Sequence, residues 1–186
     1  MPSTRTAGRA VGALAALAFV GVAAAQYSDP RASLDLTTRI GVQFAVGFVI
    51  NLLLGGALVA LSPGYADDKL DQFSSDPGET IVWGLIVGIG VPIVLVILAF
   101  TIIGLVITIP GILILAGVGI VGSAVMVVVV GDVVTDGGAG GTTVLVGALV
   151  LALLTAIPFV GGLINWLVGL PGIGMVGHDL YRGWKN

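Results

Sequence analysis

Asp132 follows Gly131 at the end of a long apolar run, a position from which a carboxylate could serve proteolysis inside a membrane. That chemistry needs a second embedded aspartate to share a proton with it. The nearest candidates, Asp67 and Asp68, fall in a solvated polar stretch, so Asp132 reads as a helix-terminal charge. GGAGGTT, at 137–143, has the glycines of a phosphate loop without the lysine that would reach the phosphates. Asp132, Asp136 and Gly137 fall short of a calcium loop, which also requires an intervening oxygen ligand and a closing glutamate. His178, the only histidine, lies among Gly177, Asp179 and Tyr181 and reads as a residue at headgroup level. With no cysteine, thiolate catalysis and cysteine-ligated metal are excluded. No nucleophile, base and orienting group come together, so the expectation is a protein that is not an enzyme and carries no metal or cofactor.

The remaining candidates are neutral polar residues within apolar segments: Gln43, Asn51, Thr101, Thr108, Ser123 and Asn165. A proton relay or ion-coupled transporter places a carboxylate or base at mid-depth, and none stands here. Two roles stay open for these residues, interhelical hydrogen bonding and the lining of a passive pore. Gln43, Gly47, Asn51 and Gly55 recur at every fourth residue and form one gently drifting helical stripe. Gly84 and Gly88 repeat that spacing, and Ala116, Gly119 and Ser123 make a further small-residue face, so close helix packing is expected at Gly47, Gly55, Gly84, Gly88 and Gly119.

The elements that position these residues follow from composition. With 57% hydrophobic and 9% charged residues and a mean hydropathy of +1.16, the chain is too apolar for one soluble core. No basic patch offers itself to nucleic acid. The expected class is all-α, a polytopic helical membrane protein with about four to five transmembrane or re-entrant segments after a signal peptide, set multi-pass in the cell membrane. Arg5 and Arg9, an apolar run from Val11 to Ala25 and small residues at Ala23 and Ala25 make residues 1–25 a signal peptide. Residues 26–39 form a short polar outer segment, 40–177 the helical membrane domain and 178–186 a polar tail. A cleaved signal leaves the mature start outside and delivers the acidic stretch 63–80 to the cytoplasm.

Ile40 to Leu61 is the clearest span, with Ser62, Pro63 and Gly64 as its stop. The uncharged run from Ile81 to Gly131 is more than twice the ~20 residues that one span needs. Two spans leave TIIGLVITIP, at 101–110, as a short uncharged connector; the other reading ends a Pro92-kinked helix at Pro110. Residues 158–174, rich in glycine and containing Pro171, read as a broken final span or a re-entrant hairpin.

Pro77-Gly78, then GLIVGIGVPIVLVILAFTIIG at 84–104, AIPFVGGLI at 156–164 and GLPGIG at 169–174, resemble the membrane domain that accompanies bactofilin-type polymer-forming proteins of halophilic archaea. Nine of the ten acids being aspartate, with only two lysines, matches proteins of a very salty cytoplasm. The resemblance covers residues 63–177, and the chain departs from that pattern where Pro110 follows Gly104 by six positions. Where those relatives carry a β-helical bactofilin domain, only the short segment Gln26 to Arg39 stands here, so polymerisation does not carry over. What the resemblance implies is an envelope or cell-shape context. The expected function is a non-enzymatic membrane anchor or assembly partner, whose partners are the lipid bilayer, a bactofilin-like or other membrane protein, or a second copy. The alternative is a small oligomeric channel or transporter-like subunit.

Overall fold

The computed structural model describes residues 35–157 and 160–185. The expected signal peptide and all but the last few residues of the outer segment lie outside the described residues. Those described form α1 (Leu36–Leu61), α2 (Pro63–Ser75), α3 (Pro77–Leu85), a π-helical turn (Ile86–Gly90), α4 (Val91–Ala99), α5 (Ile102–Thr135), α6 (Gly141–Ala156) and α7 (Gly161–Lys185), with no strand among them. The protein is an all-α polytopic bundle. Leu36–Leu61, Pro77–Ala99 and Val106–Thr135 are each long and apolar enough to cross a membrane.

Local chemistry sets the helix starts. The Asp35 carboxylate accepts the Thr38 N–H at 3.3 Å and its hydroxyl at 2.6 Å, opening α1 before the expected Ile40. Asp76 accepts the Glu79 N–H at 2.9 Å, with Pro77 in the first turn of α3, where its missing donor costs nothing. Thr101 does the same for Gly104 at 2.9 Å. This last cap corrects the ten-residue connector. The break is confined to Phe100 and Thr101, and α5 runs unbroken through Thr108 and Pro110 to Thr135. A two-residue turn suffices because the Thr101 hydroxyl answers both sides of it, accepting from Gly104 and donating to the Leu98 carbonyl at 2.9 Å.

Prolines bend the plan without ending helices. Pro92 has no N–H, and the chain just before it widens into the π turn, closed by the Val91 N–H on the Ile86 carbonyl. Pro171 stands inside α7, a single helix rather than the expected broken span or hairpin. The polar stretch 63–80 is likewise helical rather than a loop, and the polar tail continues α7.

Helix α5 is the axis. Ala124 to Val129 are buried at every position, the mark of a helix enclosed on all sides. Helices α1 and α6 pack together on one flank of it, α3, α4 and α7 on the other. Backbones touch where side chains vanish: a Cβ on Gly84 would strike the Leu170 carbonyl, and one on Gly131 that of Thr143. Gly55 lies against Val127 and Val144, Gly47 against Ala152 and Thr155, and Gly88 against the Leu170 side chain. Gly119 differs from the expectation of close packing, because a Cβ there would meet open space among the described residues.

The alternating helices give the bundle two unlike ends. One holds α2, the α5–α6 turn and the end of α7; Asp67 on α2 ties it to that turn, its Oδ1 accepting the Ala139 N–H at 3.1 Å. The opposite end holds the start of α1, the Phe100–Thr101 turn and the α6–α7 connection.

Candidate functional site: an amide-lined cleft

Four of the six neutral polar residues expected within apolar segments meet in one place. Gln43 and Asn51 from α1, Ser123 from α5 and Asn165 from α7 line an open cavity of about 320 Å³, with Gly47, Thr155 and Gly161 among its other walls. Sequence spacing puts the first two on one face of α1, and the fold brings Ser123 and Asn165 to them across the bundle. The Gln43 amide donates to the Thr155 carbonyl at 2.8 Å. The Ser123 and Thr155 hydroxyls donate to carbonyls one turn back, Gly119 and Leu151, each at 2.8 Å. The amides of Asn51 and Asn165 meet no hydrogen-bonding partner among the described residues. Nothing in this cleft is charged, so it can bind through hydrogen bonds but offers no acid, base or nucleophile.

The other two polar residues serve the fold. Thr101 caps α5, and the buried Thr108 hydroxyl donates to the Leu95 carbonyl at 3.2 Å, pinning α4 to α5 across their hairpin.

A second polar cluster, at the α2 end, is charged. Lys69, only 5% exposed, places Nζ 2.6 Å from Asp179 Oδ2 and 2.7 Å from Gln72 Oε1. The Tyr65 hydroxyl donates to the same Asp179 oxygen at 3.1 Å. Burial, then the Asp179 charge and that hydrogen bond, push the Tyr65 phenol above its ordinary 10.0. Gln72 Nε2 lies 3.4 Å from His178 Nδ1, and His178 Nε2 lies 3.6 Å from Glu79 Oε1. Trp83 packs at a tilt against both His178 and Tyr181, with ring centroids 4.8 and 5.2 Å away. His178 is buried within this cluster, against Trp83 and Gln72. No group of three or more His, Asp, Glu or Cys residues among the described residues could hold a metal ion.

This cluster is what reading the sequence as a polar loop and a polar tail misses. A signal was present: Tyr65, Lys69 and Gln72 fall at i, i+4 and i+7, one helical face, with Ala66, Leu70 and Phe73 alongside. Asp132 turns out to be structural in its contacts, since its Oδ1 accepts the Gly138 N–H at 2.8 Å in the α5–α6 turn. Asp136 sits in the same turn with a left-handed φ of 47°.

Residues 1–185 match the family described as "Domain of unknown function (DUF8173)", and the chain belongs to it. No curated protein and no solved structure matches it.

Proposed function

We propose that this DUF8173 member is a non-enzymatic, multi-pass protein of the cell membrane that assembles with another membrane segment at the amide-lined cleft. The observation that carries this reading is the pair of amides, Asn51 and Asn165, that have no partner among the described residues and stand within apolar segments. A side-chain amide facing hydrocarbon is costly, and a polar residue on an incoming helix would satisfy it. The small residues beside the amides, Gly47, Gly161 and Gly162, leave room for a close approach. The enclosed apolar length of α5 weighs against a pore through the bundle, because it keeps water from the axis. The resemblance to the membrane domain of bactofilin-type proteins supports an envelope setting, with a bactofilin-like protein or a second copy as the partner. The likeness to a secretory signal at residues 1–25 supports the α2 end facing the cytoplasm.

The cysteine-free chain makes the test clean. With Asn165→Cys as the only thiol, a short thiol-reactive photo-crosslinker in native membranes should reach a discrete protein partner, and Phe100→Cys, on the exposed turn, should not. Solute flux through proteoliposomes of the unaltered protein, lost on replacing Asn51, would instead establish a channel.

A further inference from the structure

A second cavity lies on the other flank of α5 and has the opposite character. It encloses about 540 Å³ between the π turn, α4, α5 and the end of α7. Ile86, Val91, Leu95, Ile114 and Val118 form its length, and Trp83 and Tyr181 stand at one end. Val87 and Leu95 sink against Gly177 and Gly111, where a Cβ would press on them, so the groove's depth depends on glycine at both sites. A smaller apolar recess of about 330 Å³ continues on the far side of the ridge made by Ile86, Val91 and Leu95. The ridge lies at the π turn before Pro92, where one extra residue is accommodated in the helix.

We infer that this groove is a binding site for one hydrocarbon chain of a membrane phospholipid, its polar end held level with Trp83 and Tyr181. This rests on the reading of α3–α4 and α5 as spanning segments and is independent of what docks at the amide cleft. Polarity along the groove matches such a molecule and little else. Its walls carry no charged side chain, and the indole and phenol stand only at the α2 end, where aromatic residues favour the interface. Immediately beyond the aromatic pair come His178, Glu79 and the exposed Arg182, the polar surroundings a headgroup requires. Its size suits a small ligand better than a whole partner helix. A helix with its side chains is about 10 Å across and about 30 Å long for a span, whereas this cavity falls in the roughly 300–1,000 Å³ range of small-ligand sites. The exposed rim residues Ile86, Ile114 and Leu180 are also bulky, the reverse of a close helix contact.

Brominated lipid chains quench tryptophan on contact, and the three tryptophans are well placed for the test. Trp83 lines the groove, while Trp166 and Trp184 are exposed away from it. Single-tryptophan proteins keeping Trp83 or Trp166 would be purified in excess non-brominated detergent and titrated with phosphatidylcholine brominated at mid-chain. Retained lipid should quench Trp83 saturably, at a lipid share roughly tenfold below that needed for Trp166. Val118→Phe, or Ile114→Phe at the exposed rim should the first not fold, should bring the Trp83 curve onto that of Trp166. Superimposed curves with the groove unaltered would overturn the site. Absence of Trp166 quenching in vesicles made wholly of the brominated lipid would overturn the membrane reading instead, so the two failures are distinguishable.

Discussion

The two polar clusters use the same kinds of hydrogen-bonding group to opposite ends. At the α2 end, Lys69, Asp179, Tyr65 and Gln72 answer one another, and no buried side-chain polar atom among the described residues is left without a partner. In the cleft near the opposite end, Gln43, Ser123 and Thr155 are tied to backbone carbonyls while Asn51 and Asn165 have no partner among the described residues. A closed network holds a fold in one arrangement. An open one, in a region where water is scarce, is a surface that another molecule can complete. The charged cluster is therefore the clasp that holds α2 across the ends of α3 and α7, and the neutral cluster is the place of contact that we propose.

Breaking the clasp should have the largest effect on stability. Lys69→Met leaves Asp179 without its cation, and the expected loss is about 2 kcal/mol, below the roughly 3–5 kcal/mol of a wholly buried pair because the Asp179 side chain keeps 40% of its exposure. The check is a denaturant titration in micelles, in which Lys69→Met/Asp179→Leu should regain much of the loss. Tyr65→Phe comes next, at about 1 kcal/mol for one hydrogen bond to a carboxylate. This variant also carries the pH test. The folded state keeps the Tyr65 proton to higher pH than the unfolded chain does, so the contribution is present below pH 10 and is lost as pH rises beyond it. Stability of the unaltered protein should fall over that range more steeply than that of Tyr65→Phe. Asp132→Asn should barely move stability and should alter no function, since the amide oxygen can still accept the Gly138 N–H. Least of all should Asn51→Leu or Asn165→Leu destabilise the isolated bundle, because neither amide has a bond within it to lose; a loss as large as that of Lys69→Met would erase the contrast between the clusters.

Much of the cleft is legible in the sequence, for a physical reason. A neutral amide within an apolar run is conspicuous by type, and the four-residue spacing of Gln43, Gly47, Asn51 and Gly55 places them on one helical stripe. That α5 and α7 deliver Ser123 and Asn165 to the same stripe depends on which helices become neighbours, which spacing along one helix does not encode. The clasp is harder to read because Tyr65, Lys69 and Gln72 are equally at home in a solvated loop, and only their partners on α7 reveal that Lys69 is buried and the other two half-buried. Helix ends at 100–110 and 158–174 mislead because proline, glycine and threonine carry two meanings in apolar segments. Pro110 and Pro171 lie within helices whose neighbours tolerate them, while the true turn is made by the two residues Phe100 and Thr101.

The central claim is that the amide cleft is an assembly surface and not part of what keeps the bundle folded. Its most direct test is a pair of measurements on Asn51→Leu/Asn165→Leu: thermal unfolding in micelles, and co-purification from native membranes of the partner that crosslinks through position 165. The account predicts an unchanged unfolding midpoint with the partner lost. A partner retained at full yield by a stably folded double variant would contradict it.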